Sequence, residues 1–120
     1  MSLRVLVVDD EKEMAELMKD LLQMSGISDV VLAYESGGAL EYIETHRPDL
    51  TFLDIELGGK TSGMEVLKSA MTFSPRTKVC MASAYGDEYE AKSFALGAYA
   101  FLKKPFDVES IRQVLSSVVN

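Results

Sequence analysis

Three short runs, RVLVV at 4–8, LTFLD at 50–54 and KVCMAS at 78–83, are apolar almost throughout instead of at every second position. A strand with one face in water alternates polar and apolar residues, so these runs predict strands covered on both faces, as in a parallel sheet between helix layers. Between them the spacing changes. Met14, Leu17, Met18 and Leu21 recur at helical intervals and Gly26 is placed to end that helix, which assigns its methionines to the core. DVVLAY at 29–34 predicts a second strand, and Ser36 is the expected cap of a helix carrying Ala39, Leu40 and Ile43 that ends before Pro48. A polar, glycine-bearing loop at 55–63 precedes a helix with Met64, Leu67, Ala70 and Met71 on one side. A fourth helix is expected from about Asp87 to the Gly97 stop, and YAFLKK at 99–104 predicts a fifth strand ended by Pro105. Asp107 is the expected cap of a last helix through Ile111, Val114, Leu115 and Val118.

Strictly alternating strands and helices imply right-handed crossovers. The predicted fold is α/β: a flavodoxin-like, doubly wound, five-stranded parallel sheet in the order 2-1-3-4-5 with five helices on its two faces. A chain of 120 residues buries one core, so a single domain is expected over residues 1–120.

Composition narrows the function. A formal charge of −7 and a pI near 4.6 oppose a broad phosphate-backbone contact surface, so no direct nucleic-acid binding is expected. Cys80 is the only cysteine, which forbids an internal disulfide, and its neighbours Val79 and Met81 mark it as an inert core thiol. No apolar run approaches the roughly 18 residues of a membrane span, and Asp9 interrupts any signal-peptide core. A cytoplasmic protein with no membrane association is the expectation.

In open α/β sheets ligands bind beyond the carboxyl ends of the strands, at the point where strand order reverses. Strand one ends in Asp9 and Asp10, strand three in Asp54, strand four in Ser83 and strand five in Lys104 before Pro105. Adjacent strands lie about 4.8 Å apart, so Asp54 falls within a side chain's length of the aspartate pair. Unit charges about 4 Å apart repel by roughly 4 kcal/mol at an effective dielectric near 20, so the cluster calls for a proton or a cation. Oxygen-only ligands favour Mg²⁺, with Mn²⁺ as a substitute. The competing reading is that Asp9 or Asp10 only caps the first helix. A central carboxylate flanked by a metal and an ammonium can be a nucleophile toward phosphorus. Asp54 is the candidate acceptor, with Ser83 bonding an arriving phosphoryl oxygen and Lys104 neutralising it.

Taken together, VLVVDDE (5–11), PDLTFLDIEL (48–57), VCMASAYGD (79–87) and GAYAFLKKPF (97–106) give a chain that resembles the receiver domains of two-component response regulators over residues 4–119. The resemblance implies a regulatory phosphoacceptor, not an enzyme with turnover, beyond its self-catalysed phosphoryl transfer and autodephosphorylation. Asp54 would take phosphate from a sensor histidine kinase or a histidine phosphotransfer protein. Asp9, Asp10, Asp54 and the Glu56 backbone carbonyl would hold the metal. Ser83 would be the switch hydroxyl, Phe101 the aromatic switch residue, Lys104 the phosphate-binding lysine, and Pro105 a proline often cis. Phosphorylation would reshape the face of helix 4, strand 5 and helix 5, to be read by a downstream protein or fused output domain. A monomer or weak homodimer is expected.

Two departures from the family pattern stand out. No proline follows the acceptor closely, and Gly63 comes nine residues after Asp54 where many receivers have a glycine at eight, so the loop is one residue longer. Phe101 lacks the hydroxyl of the usual tyrosine. Glu56 and Tyr85 are candidates to screen attacking water, and Met14, Met18 and the Pro105 loop to border a kinase-docking surface. His46, beside Arg47 and Pro48, is expected to be solvated. Three alternatives remain. A flavodoxin-type cofactor module should carry a Ser, Thr and Gly loop where the acids stand; a phosphatase-like hydrolase with its aspartate nucleophile on strand one should carry a pair of aspartates around one residue; a receiver-like interaction module would work without phosphorylation.

Overall fold

The structure, a computed structural model, describes residues 3–58 and 61–119. Gly59 and Lys60, inside the predicted 55–63 loop, lie outside the described residues, as do Met1, Ser2 and Asn120. The elements run β1 (Arg4–Val8), α1 (Lys12–Met24), β2 (Asp29–Ala33), α2 (Ser36–His46), β3 (Leu50–Asp54), α3 (Gly63–Phe73), β4 (Lys78–Ser83), α4 (Gly86–Ala95), β5 (Ala100–Lys103) and α5 (Val108–Val119). All strand pairs are parallel and the sheet order is β2-β1-β3-β4-β5, the order expected for a doubly wound sheet of this size.

Period-two alternation within each buried strand builds two cores. Val5, Val7, Leu50, Phe52 and Cys80 point to one face, where they meet Ala15, Met18 and Leu22 of α1 and Ile111, Val114 and Leu115 of α5. Leu6, Val8, Leu53, Val79 and Met81 point to the other, against Ala39 and Ile43 of α2 and Val66, Leu67 and Ala70 of α3. Every residue of β3 is buried, in keeping with a run that is apolar apart from Thr51 and the terminal Asp54. Burial pushes the Cys80 thiol up to about 12, so it stays protonated and unreactive, as its neighbours imply.

Helix faces depart from the sequence reading. Leu17, counted as core, is 49% exposed, while Ala15 and Leu22 are fully buried. Ala15 lies within the first core, and the larger Leu17 lies outside it. On α3, Gly63 and Val66 are buried while Met64 and Met71 only border the core. Val118 likewise sits at the margin of α5. Ser36 does not cap α2: the Ala39 amide bonds the Glu35 carbonyl at 3.2 Å, which places Ser36 inside the first turn. Asp107 does cap α5, accepting the Ser110 amide at 2.9 Å. Gly26 and Gly97 end their helices at φ of +96° and +104°, conformations that favour glycine. His46 is exposed and stacks on Tyr42 with ring centroids 4.4 Å apart, away from the strand ends. Among the described residues no helix is long and apolar enough to cross a membrane.

Candidate functional site

The carboxyl ends of β1, β3, β4 and β5 converge, β1 delivering Asp9 and Asp10 and the others Asp54, Ser83 and Lys104. The backbone amide of Asp9 continues the sheet by donating to Ala33 at 3.1 Å, so its side chain leaves a fixed point. Its Oδ1 accepts the Glu11 amide at 3.0 Å. Neither aspartate is the N-cap of α1: that position is Glu11, with no side-chain cap. Asp10 is exposed and its Oδ2 accepts the Gly58 amide at 3.0 Å, which closes the β3–α3 loop onto β1. A Cβ on Gly58 would stand 2.8 Å from that oxygen, so only glycine allows the approach.

Asp54, the last residue of β3, is 4% exposed. Its Oδ1 accepts the Glu56 amide at 3.1 Å and its Oδ2 pairs with Lys104 Nζ at 3.0 Å. The same ammonium lies 3.5 Å from Asp9 Oδ2. The Lys104 amide bonds the Ser83 carbonyl at 2.9 Å and the Lys104–Pro105 peptide is cis, as the resemblance implied. Oxygens of Asp9, Asp10 and Asp54 all lie within 4.8 Å of one another.

Burial pushes the Asp54 carboxyl up to about 6, with Asp9 adding to the shift and the Lys104 contact opposing it. Burial works against the Lys104 charge, but Asp54 and Asp9 outweigh it and raise the ammonium's pKa. Three carboxylates facing one ammonium leave negative charge in excess, and a cation relieves it. The donor set fits a hard divalent ion: the clustered ligand atoms are all carboxylate oxygens, and the exposed Asp10 leaves one side open to the waters that magnesium keeps. A purely capping role for the aspartate pair does not explain this convergence.

Ser83 is fully buried, and its hydroxyl is already engaged. Oγ–H donates to Glu56 Oε2 at 2.8 Å, while Oγ accepts the Tyr85 amide at 2.9 Å. The other Glu56 oxygen, Oε1, accepts the Ala84 amide at 3.1 Å. Thus the Glu56 side chain folds over the end of β4, a contact the sequence did not reveal. Tyr85 is 62% exposed. Phe101 faces Met81 across the β4–β5 ladder, half-buried against the second core.

The family model of the response regulator receiver domain matches residues 5–116. The chain belongs to the response regulator receiver family. Receiver domains of this kind are phosphoacceptors in two-component systems, and the aspartate cluster is compatible with that role. Among similar proteins, the nitrogen assimilation regulatory protein NtrX of Azorhizobium caulinodans is 36% identical over 89% of this chain and 24% of its own length. The chemotaxis protein CheY of Bacillus subtilis is 29% identical over the full length of both chains. A CheY-like receiver from Methanospirillum hungatei superposes with a TM-score of 0.89 at 27% identity, covering 99% of this chain and 95% of the other. NtrX from Brucella abortus gives 0.90 at 30% identity over 99% of this chain and 27% of its own. This receiver spans 24% to 48% of the length of several curated regulators that it matches.

The longer β3–α3 loop is accommodated without losing the glycine contact. Gly63 donates its amide to the Ile55 carbonyl at 3.0 Å and lies flat on the end of β3. The two ends of the longer segment, Ile55 and Gly63, are thus held together.

Proposed function

We propose that residues 1–120 form one receiver domain whose Asp54 accepts a phosphoryl group from a histidine kinase or a histidine phosphotransfer protein. One observation carries this reading: a buried carboxylate at a strand end shares an ammonium with a second carboxylate and lies in reach of a third. Asp9, Asp10, Asp54 and the Glu56 backbone carbonyl would hold Mg²⁺, which when bound supplies positive charge to a transferring phosphoryl group. Lys104 neutralises that group from the other side, and the Ser83 hydroxyl and Ala84 amide receive its oxygens. Oδ2 of Asp54 attacks phosphorus and the donor's leaving group departs with the bonding pair. An apolar groove of about 120 Å³, bordered by Met14, Leu17, Met18 and Phe106, opens beside Asp54 and Lys104, where a partner's helix would dock. The domain works as a switch in the cytoplasm, with its output in a downstream protein or a fused domain. Mass spectrometry after incubation with acetyl phosphate and Mg²⁺ tests the reading. A phosphate-sized gain mapping to the Asp54 peptide is expected, and its absence would leave a phosphorylation-independent interaction module.

Phosphorylation adds charge and three acceptor oxygens, which would draw Ser83 toward Asp54 and free room for Phe101 to turn inward. Since no hydroxyl takes part, Phe101→Tyr should take up phosphate at within about threefold of the native rate. Total loss of incorporation in that variant would remove Phe101 from the switch and put it in the acceptor machinery.

A further inference from the structure

A phosphoryl group on Asp54 brings three acceptor oxygens, and two of the donors placed to receive them are covered in this structure. Both are covered by one side chain. The Glu56 carboxylate spans the Ser83 hydroxyl at 2.8 Å and the Ala84 amide at 3.1 Å, one oxygen on each. A hydroxyl and an adjacent backbone amide aimed at a pair of anionic oxygens form the pattern that a phosphoryl group requires. The carboxylate satisfies it from within the chain.

We propose that Glu56 is a built-in competitor for the incoming phosphoryl group, holding the Ser83 and Ala84 donors closed until it is displaced. The inference rests on the phosphoacceptor reading and adds its regulation. Three features of the contact make it a gate and not a fixed brace. Glu56 is only half-buried, so its side chain can swing to water without opening the core. Its backbone is tied separately, through the amide that bonds Asp54 Oδ1 at 3.1 Å, so the side chain can leave while the loop stays. Its charge has the sign of the group that must enter, so donor and carboxylate cannot share the pocket without repulsion. When a ligand binds only the open form, its apparent affinity falls by the fraction of molecules that are open. Phosphate entry is thereby slowed, while chemistry at Asp54 is untouched once Glu56 has moved.

Two variants separate competition from structural support. Glu56→Gln keeps the length and one acceptor oxygen but loses the charge and cannot satisfy both donors. Glu56→Ala removes the group. Both should incorporate phosphate from acetyl phosphate and Mg²⁺ about tenfold faster than the native chain. Beryllium fluoride, a phosphoryl mimic, should bind both about tenfold more tightly in the presence of Mg²⁺. In amide NMR spectra the Ala84 resonance should move on Glu56→Gln substitution alone, since its charged partner is gone, and native chain saturated with beryllium fluoride should show Ala84 bound to the mimic. Rates and affinities equal to native in both variants, with Asp54 phosphorylated in all three proteins, would overturn the competitor and leave the phosphoacceptor standing. A native chain that takes up neither phosphate nor mimic would overturn both.

Discussion

Asp54→Asn is expected to incorporate less than about one-hundredth of the native phosphate from acetyl phosphate and Mg²⁺, and also to melt higher than the native chain at pH 7 without divalent ions. The first effect follows from chemistry: an amide oxygen is a far weaker nucleophile than a carboxylate. The second follows from the burial of the charge. In the unfolded chain the carboxyl has its ordinary value of 3.8, and in the folded chain burial moves it to about 6. Below the lower value both states are protonated and no difference arises. As pH rises between the two, the unfolded chain releases its proton first, so folded-state stability falls; above about 6 the full cost is present. The asparagine variant lacks this loss. Its advantage should grow from pH 4 to pH 7 and reach about 1 kcal/mol, a figure kept small because Lys104 and solvent screen part of the charge. Adding Mg²⁺ should reverse the order, because an ion that binds only the folded state stabilises the protein with three carboxylates more than the one with two. Thermal melts across pH, with and without Mg²⁺, check every part. An asparagine variant that melts lower than native throughout would mean that the Lys104–Asp54 pair outweighs the burial cost.

The ends of β1, β3 and β4 could be read from sequence because these strands are buried on both faces, so the change from apolar to polar residues falls at the carboxyl edge of the sheet. Asp9, Asp54 and Ser83 close such runs, whereas Lys104 follows Lys103 and is marked instead by Pro105, which ends the fifth strand. Helix faces were harder to read. Periodicity weighs large apolar residues, yet small ones, Ala15 on α1 and Gly63 on α3, are buried beside Met18, Leu22 and Leu67, while the larger Leu17 is exposed. Of the donors, Ser83 and Lys104 were legible, but the Ala84 amide and its Glu56 partner were not. Ala84 contributes a backbone amide, which every residue but proline carries, and its pairing with Glu56 joins loops 28 residues apart. A glutamate two residues past an acceptor looks like a solvated loop charge until the end of β4 is placed against it. Two glycines have contacts that their sequence context does not reveal. Gly58 reads only as a loop former and Gly63 as the family's glycine set one residue late, whereas one admits Asp10 and the other admits the backbone of β3.

Gly63 is therefore the position where the smallest change should do the most damage to the fold. A Cβ there would strike the carbonyl oxygen of Asp54 and stand 2.7 Å from the Ile55 Cα, both backbone atoms in a fully buried strand end. Neither can rotate away as a side chain would. Gly63→Ala gains about 1 kcal/mol of helix propensity, but overpacking against backbone costs about 1–3 kcal/mol or more, and the N-terminus of α3 must lift off β3. A net loss of about 2 kcal/mol is expected, with Mg²⁺ affinity falling as well, because the displaced carbonyl carries the acceptor residue. Two other glycines separate the causes. Gly38→Ala meets nothing nearer than the Glu35 side chain at 4.0 Å, so α2 should gain stability. Gly58→Ala meets only the tip of the Asp10 carboxylate at 2.8 Å, a group that can turn aside, so stability should hold while Mg²⁺ affinity drops. Urea denaturation together with Mg²⁺ titration distinguishes the three. If Gly63→Ala matched Gly38→Ala in both, the close seating of α3 on the end of β3 would not be what fixes the acceptor in place.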